Sequence, residues 1–177
     1  MDIQEFINKY IIKKDGQIKT KEYQMEMHKR TNQYMQLLVM AVLSFVSMYV
    51  LMYAMVDTFS NVIPNINQFY MAGLMTFPMI IIEIILMGSM YKNKKLNYFV
   101  IALCSIVLIT FFLFIRQQSF VSDKQFLKSM IPHHASAILM CEKTNLQDPE
   151  LQELCASIIS GQQAEIDQMK AKLDGLK

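Results

Sequence analysis

Three long apolar runs, residues 35–56, 69–90 and 97–115, constrain this chain more than any other feature. Each matches the ~20 residues that a helix needs to cross the hydrocarbon core of a bilayer. Soluble core helices of that apolar length are unusual. The expected fold class is therefore all-α and membrane-embedded: three transmembrane helices followed by an extramembrane helical hairpin. The chain divides accordingly into an amphipathic N-terminal segment (1–34), a three-span region (35–115) and a His/Met-rich hairpin (116–177).

The spans account for a composition that is 53% hydrophobic yet lacks tryptophan. The first 34 residues are polar, whereas a signal peptide opens with a short basic stretch and a compact apolar region. Span one is thus expected to act as its own insertion signal. Sidedness follows from the loops. Lys9, Lys13, Lys14, Lys19, Lys21, Lys29 and Arg30 precede span one, and Lys92, Lys94 and Lys95 lie between spans two and three. The loop from Asp57 to Gln68 has no Lys or Arg. The positive-inside bias puts the two basic segments in the cytoplasm and the hairpin in a periplasm-like space, with Arg116 alone against it. The expected location is a bacterial inner membrane. A net charge of +2 gives no case for nucleic acid. The basic arm reads as a topology signal that also touches anionic lipid in the bilayer.

Inside the spans, Met48, Met52 and Met55 fall in a narrow arc at the hairpin end of span one. Met71, Met75 and Met79 line one face of the same half of span two. Two methionine ladders at one depth suit a soft-ion relay; flexible packing is the plainer account. Pro78 is expected to loosen span two. Glu83 carries an insertion cost of roughly 2.5–3.5 kcal/mol, so it should face protein or water. It is a candidate proton or cation site, or a carboxyl bonded to Ser44, Ser47 or Thr110. Cys104 reads as core. In the N-terminal segment, Met25, Met27 and His28 read as a solvated helix face rather than a metal cluster.

The hairpin carries the chemistry. Ser122 with Gln125 forms a capping-box pattern that starts its first helix. That helix should end near Thr144 and Asn145. Asp148 caps the second, with Pro149 at its first position and Glu150 in its first turn, and Gly175 marks its end. At 100° per residue, Phe126, Met130, His133, His134, Ala137, Met140 and Cys141 gather on one flank of the first helix. Imidazoles, thioethers and a thiol are the donors that Cu(I) and its mimic Ag(I) select, while Cu(II) would prefer the imidazoles. Leu151, Leu154, Cys155, Ile158, Gln162, Glu165, Ile166, Met169 and Leu173 form the answering stripe of the second helix.

Antiparallel pairing about residues 145–148 sets His133 and His134 level with 159–162, Met130 near Gln162 and Glu165, and Met169 near Phe126. The candidate metal ligands are Met130, His133, His134, Met140 and Met169. Gln162 and Cys141 are auxiliary, and Glu165 is better suited to orienting a histidine N–H than to binding a soft metal. Zinc would want four close Cys or His ligands. Di-iron chemistry would need Glu-x-x-His pairs, which the hairpin lacks. No nucleophile–base pair or phosphate-cradling glycine loop is present, so no enzymatic activity is expected. In the same register Cys141 and Cys155 are offset by about three residues, beyond the ~7 Å disulfide limit for helices ~8–10 Å apart. Free thiols are expected.

The pattern Phe126…Met130-Ile-Pro-His133-His134-x-x-Ala137-x-x-Met140, then Asp148-Pro149-Glu150-Leu151, then Ile158-Ile159-x-x-Gln162-x-x-Glu165-Ile166-x-x-Met169, resembles the domain-of-unknown-function family numbered 305. The resemblance implies a ferritin-like helical domain and, from its periplasmic members, copper or silver binding. Members commonly carry the two-helix unit twice as a four-helix bundle, whereas this chain has it once. The usual aromatic three residues after the last methionine is Lys172 here. A hairpin of about fifty residues cannot bury an adequate core alone. Two chains are therefore expected to supply one hairpin each to a two-fold homodimer. The functional expectation is Cu(I)/Ag(I) storage, buffering or hand-off to a copper-handling protein. Its rival is a non-metal module whose hairpin docks a partner.

Overall fold

The structure, a computed structural model, describes residues 33–176. The readings made on residues 1–32, including Met25, Met27 and His28, lie outside the described residues. Five helices follow in order: α1 (Gln33–Met55), α2 (Ile66–Leu86), α3 (Lys94–Gln117), α4 (Asp123–Lys143) and α5 (Pro149–Gly175). No strand occurs among the described residues. The first three helices are long and apolar enough to cross a membrane.

Helix α2 occupies 66–86 instead of the expected 69–90, and local chemistry explains the shift. Asn65 caps its start by accepting from the Gln68 N–H at 3.0 Å. Its regular ladder ends at Leu86, before Gly88 and a turn. Pro78 is accommodated inside the helix. The α2–α3 contact is close because Gly73 has no side chain: a Cβ there would run into the Phe111 ring. Phe111 also meets Phe69, Tyr70 and Phe77. Toward the basic loop, Leu37 of α1 joins Ile80, Ile84, Tyr91 and Cys104 in a buried cluster.

That same end corrects the expectation for Glu83. Its partner is not Ser44, Ser47 or Thr110, and the Thr110 hydroxyl donates to its own helix at the Ile106 carbonyl. Because α2 stops early, Glu83 sits in its last turn, where the Tyr91 hydroxyl reaches back to its Oε1 at 3.4 Å. Tyr91 stacks on Tyr34, whose hydroxyl donates to Asn97 Oδ1 at 2.7 Å. Asn97 donates in turn to the Tyr91 carbonyl. Burial, then the Glu83 charge, pushes the Tyr91 phenol above its ordinary pKa.

The chain reverses after α3 through Gln118 and Phe120, both with positive φ (50° and 60°). Ser122 then caps α4, accepting from Gln125 N–H. The capping box is only half made, because the Gln125 side chain accepts from Ile66 N–H at 3.2 Å instead of turning back to Ser122. Asp148 caps α5 through the Glu150 and Leu151 amides, and Pro149 is its first residue, as expected. The hairpin core is Ile131, Ala135 and Ile138 of α4 with Ile166 of α5. Met169, Leu173 and Ile159 pack around it, and so do Val56 and Ile63 from the α1–α2 loop.

Polar groups secure that seating. Asn67 donates to Gln118 Oε1 and to Ser129 Oγ, and Ser129 donates to the Gln125 carbonyl and lies 3.2 Å from Asn65 Oδ1. The Tyr53 hydroxyl fixes the Ile63 carbonyl at 3.0 Å. The hairpin thus lies with one face on a collar built from the loop and the first turn of α2.

Candidate functional site

The residues of interest lie on the flank of the hairpin beside its buried stripe. Taking Ile131 as the centre of the buried stripe of α4, 100° steps carry Met130, Ala137, Phe126, His133 and Met140 progressively round to the open flank. The same count on α5 from Ile166 brings Glu165, Ile158, Leu154 and Gly161 onto the matching side. The exposures agree: Phe126 is 51%, Met140 50% and Leu154 54% exposed, and His133 is exposed too.

His134 differs from its neighbour in every respect. It is buried, and both ring nitrogens are engaged. Its Nδ1 lies 2.8 Å from the Met130 carbonyl oxygen, and its Nε2 lies 2.7 Å from Glu165 Oε2. A carbonyl oxygen only accepts, so Nδ1 carries a proton. The contact between Nε2 and Glu165 then ties α4 to α5. Glu165 was expected near Met130, and it meets His134 instead, four residues further along α4. His133 projects about 100° away. The two rings lie 5.9 Å apart at 64°. A metal ion could take His134 Nε2 only by displacing Glu165, whereas His133 presents its ring freely to the open side.

The other candidates separate likewise. Met130 is half-buried one turn before His134. Met140 lies two turns beyond His133 on the same row. Met169 is withdrawn into the hairpin core. Gln162 is half-buried on α5. Cys141 is bonded to Cys155 in a disulfide with the Cα atoms 5.2 Å apart, which corrects the expectation of free thiols. The reason is register. The connection 144–148 runs beyond the end of α4 before α5 begins, with the Gln152 amide pinning the Leu146 carbonyl. Residues 141 and 155 therefore meet directly, and 134 meets 165. Cys104 is buried and is the free cysteine among the described residues. No group of three or more His, Cys, Asp or Glu placed to hold a metal occurs among the described residues.

In the membrane-length helices, Met71, Met75 and Met79 are 40, 43 and 38% exposed, a row pointing out of the helix packing. Met48 and Met52 are half-buried and Met55 is exposed. Sequence reasoning did not find the collar residues Asn65, Asn67, Gln118 and Ser129. Nor did it weigh Pro132 inside α4, whose missing N–H leaves the Lys128 carbonyl without its helical partner. The proline itself was the available signal.

These features define a class: an all-helical chain in which three membrane-length apolar helices carry a C-terminal two-helix hairpin. Residues 115–173 match the family described as domain of unknown function, DUF305, and the chain belongs to that family. It is 36% identical over 144 residues to an uncharacterized protein of Acanthamoeba polyphaga mimivirus. The match covers 80% of this chain and 93% of that protein, too much to be the hairpin alone. That relative is viral and lends no support to the bacterial inner membrane expected from the loops. No solved structure matches.

Proposed function

We propose that the protein is a membrane-anchored soft-metal binder, in which two hairpins close face to face and hold Cu(I), or Ag(I) in its place, between them. The observation that carries this reading is the open flank of α4. There an imidazole (His133) and two thioethers (Met130 and Met140) share a flank with exposed apolar side chains. Soft ligands next to apolar surface favour a monovalent soft ion over zinc or calcium. A core of four fully buried side chains is thin for a two-helix unit, and a second copy would bury Phe126, Leu151 and Leu154 while completing a four-helix bundle. The row on one hairpin would meet its symmetry mate, so that each ion takes donors from both chains.

His134 holds the hairpin together through Glu165 and yields Nε2 only when the ion displaces that carboxylate. The positive-inside bias of the loops supports a hairpin on the non-cytoplasmic side, and a disulfide in the hairpin agrees with an oxidising compartment. Storage or buffering fits this arrangement better than transport, because Met71, Met75 and Met79 stand on the outside of the helix packing.

The test is Cu(I) titration of the detergent-purified protein against a competing chelator, beside a His133→Ala/His134→Ala double variant. Uptake by the wild type and its loss in the variant are expected. Negligible uptake by both would remove the metal reading and leave the open flank to the second one. In that second reading the same flank docks a partner protein. It is favoured by the full engagement of His134, which needs no metal to satisfy either nitrogen.

A further inference from the structure

The Cys141–Cys155 pair lies outside the donor row, and nothing in the proposed metal site uses it. The two residues stand on facing helices with Cα atoms 5.2 Å apart and are half-buried at the turn end of the hairpin. Solvent and an exchange partner can therefore reach them. The helices do not depend on this bond alone for their pairing. Ile131, Ile138 and Ile166 pack below it, and His134 meets Glu165 about two turns away. Opening the disulfide therefore leaves two thiols held opposite one another.

What such a pair binds is set by ligand count. No third His, Cys, Asp or Glu stands near enough to make a metal-holding group, so the four-ligand shell of a zinc site cannot be completed from the described residues. A thiolate pair alone satisfies an ion content with two soft ligands in line, which describes Cu(I) and Ag(I). We propose that Cys141 and Cys155 form a redox-gated second site, closed as the disulfide and opened by reduction to bind one monovalent soft ion between two thiolates. The gate is two-electron thiol–disulfide exchange. A dithiol reductant gives two electrons and two protons to the Cys141–Cys155 bond and is itself oxidised to a disulfide. The ion then displaces both thiol protons, forming two metal–sulfur bonds and releasing two protons to solvent. This deepens the soft-metal reading but does not need His133 or His134.

The experiment compares oxidised and dithiol-reduced protein, freed of reductant under anaerobic conditions, in a Cys104→Ala background. Each is titrated with Cu(I) alone. Reduction is expected to add one equivalent of bound Cu(I) and a short-wavelength thiolate-to-copper absorption band. Both gains should disappear in Cys141→Ser/Cys155→Ser and persist in His133→Ala/His134→Ala. Equal uptake by the oxidised and reduced proteins would overturn the proposal, as would an extra equivalent surviving in the double serine variant. Far-UV circular dichroism of the serine variant shows whether the hairpin is still helical; should it unfold, alkylation of both thiols in the reduced wild type must abolish the extra equivalent, and its survival would overturn the proposal equally. Loss of the row-bound copper alone, with the thiol-dependent equivalent retained, would sink the donor-row reading and leave this one standing.

Discussion

The membrane-length helices and the hairpin solve the burial problem in opposite ways. Helices α2 and α3 approach closely because Gly73 yields space to Phe111, and aromatic rings fill the seam. Their remaining apolar surface, such as Ile82, Ile85, Phe112 and Leu113, is left outside without cost wherever lipid covers it. The hairpin faces water and has no such cover. It buries few side chains and adds a disulfide, a histidine–carboxylate tie and a polar collar. The lesson is that apolar exposure means different things in the two regions. On α2, long and apolar enough to cross a membrane, it is surface that lipid would cover, whereas on α4 and α5 it is surface that the proposed partner chain and ligand would cover.

The sharpest way to break this comparison is to empty the hairpin core. Ile166 is fully buried at the centre of a small cluster. Ile166→Ala should cost about 2–5 kcal/mol. The hairpin should then melt well before the membrane helices in a circular dichroism scan in detergent. A single coincident transition would show that the two regions are one cooperative unit.

A smaller effect is expected in the seam. Gly73→Ala drives a methyl group against the Phe111 ring, and overpacking of this kind costs about 1–3 kcal/mol. It should lower resistance to denaturing detergent while the hairpin transition stays where it was. Smallest of all is the collar. Ser129→Ala removes a hydroxyl that serves Asn65, Asn67 and the Gln125 carbonyl, worth about 1 kcal/mol. The loss should show as faster amide exchange in α4 with little change in α2. Uniformly faster exchange would mean that the collar holds both regions, not only the hairpin.

The parts legible from sequence were those fixed by local chemistry. Apolar length marked the three long helices, and Ser122, Asp148, Pro149 and Gly175 marked the ends of α4 and α5. Glu165 was rightly seen as a histidine's partner. What failed was register. Helical periodicity says which residues share a face, but not how far one helix slides along another. That offset is set by the path of residues 144–148, so Cys141 and Cys155 were read as too far apart. Glu83 failed for a related reason: its partner depends on where α2 ends, and Tyr91 comes from the turn beyond. The collar was hidden because isolated Asn, Gln and Ser residues carry no periodic signal.

Pro132 removes one hydrogen bond from the ladder of α4 without interrupting the helix. Before it, α4 is bolted to the collar through Gln125 and Ser129, and beyond it, α4 is clasped to α5 by the cysteine bridge. The hairpin is thus anchored at both ends by side chains rather than by its small core: hydrogen bonds hold the end of α4 at the collar, and a covalent bond holds its far end to α5.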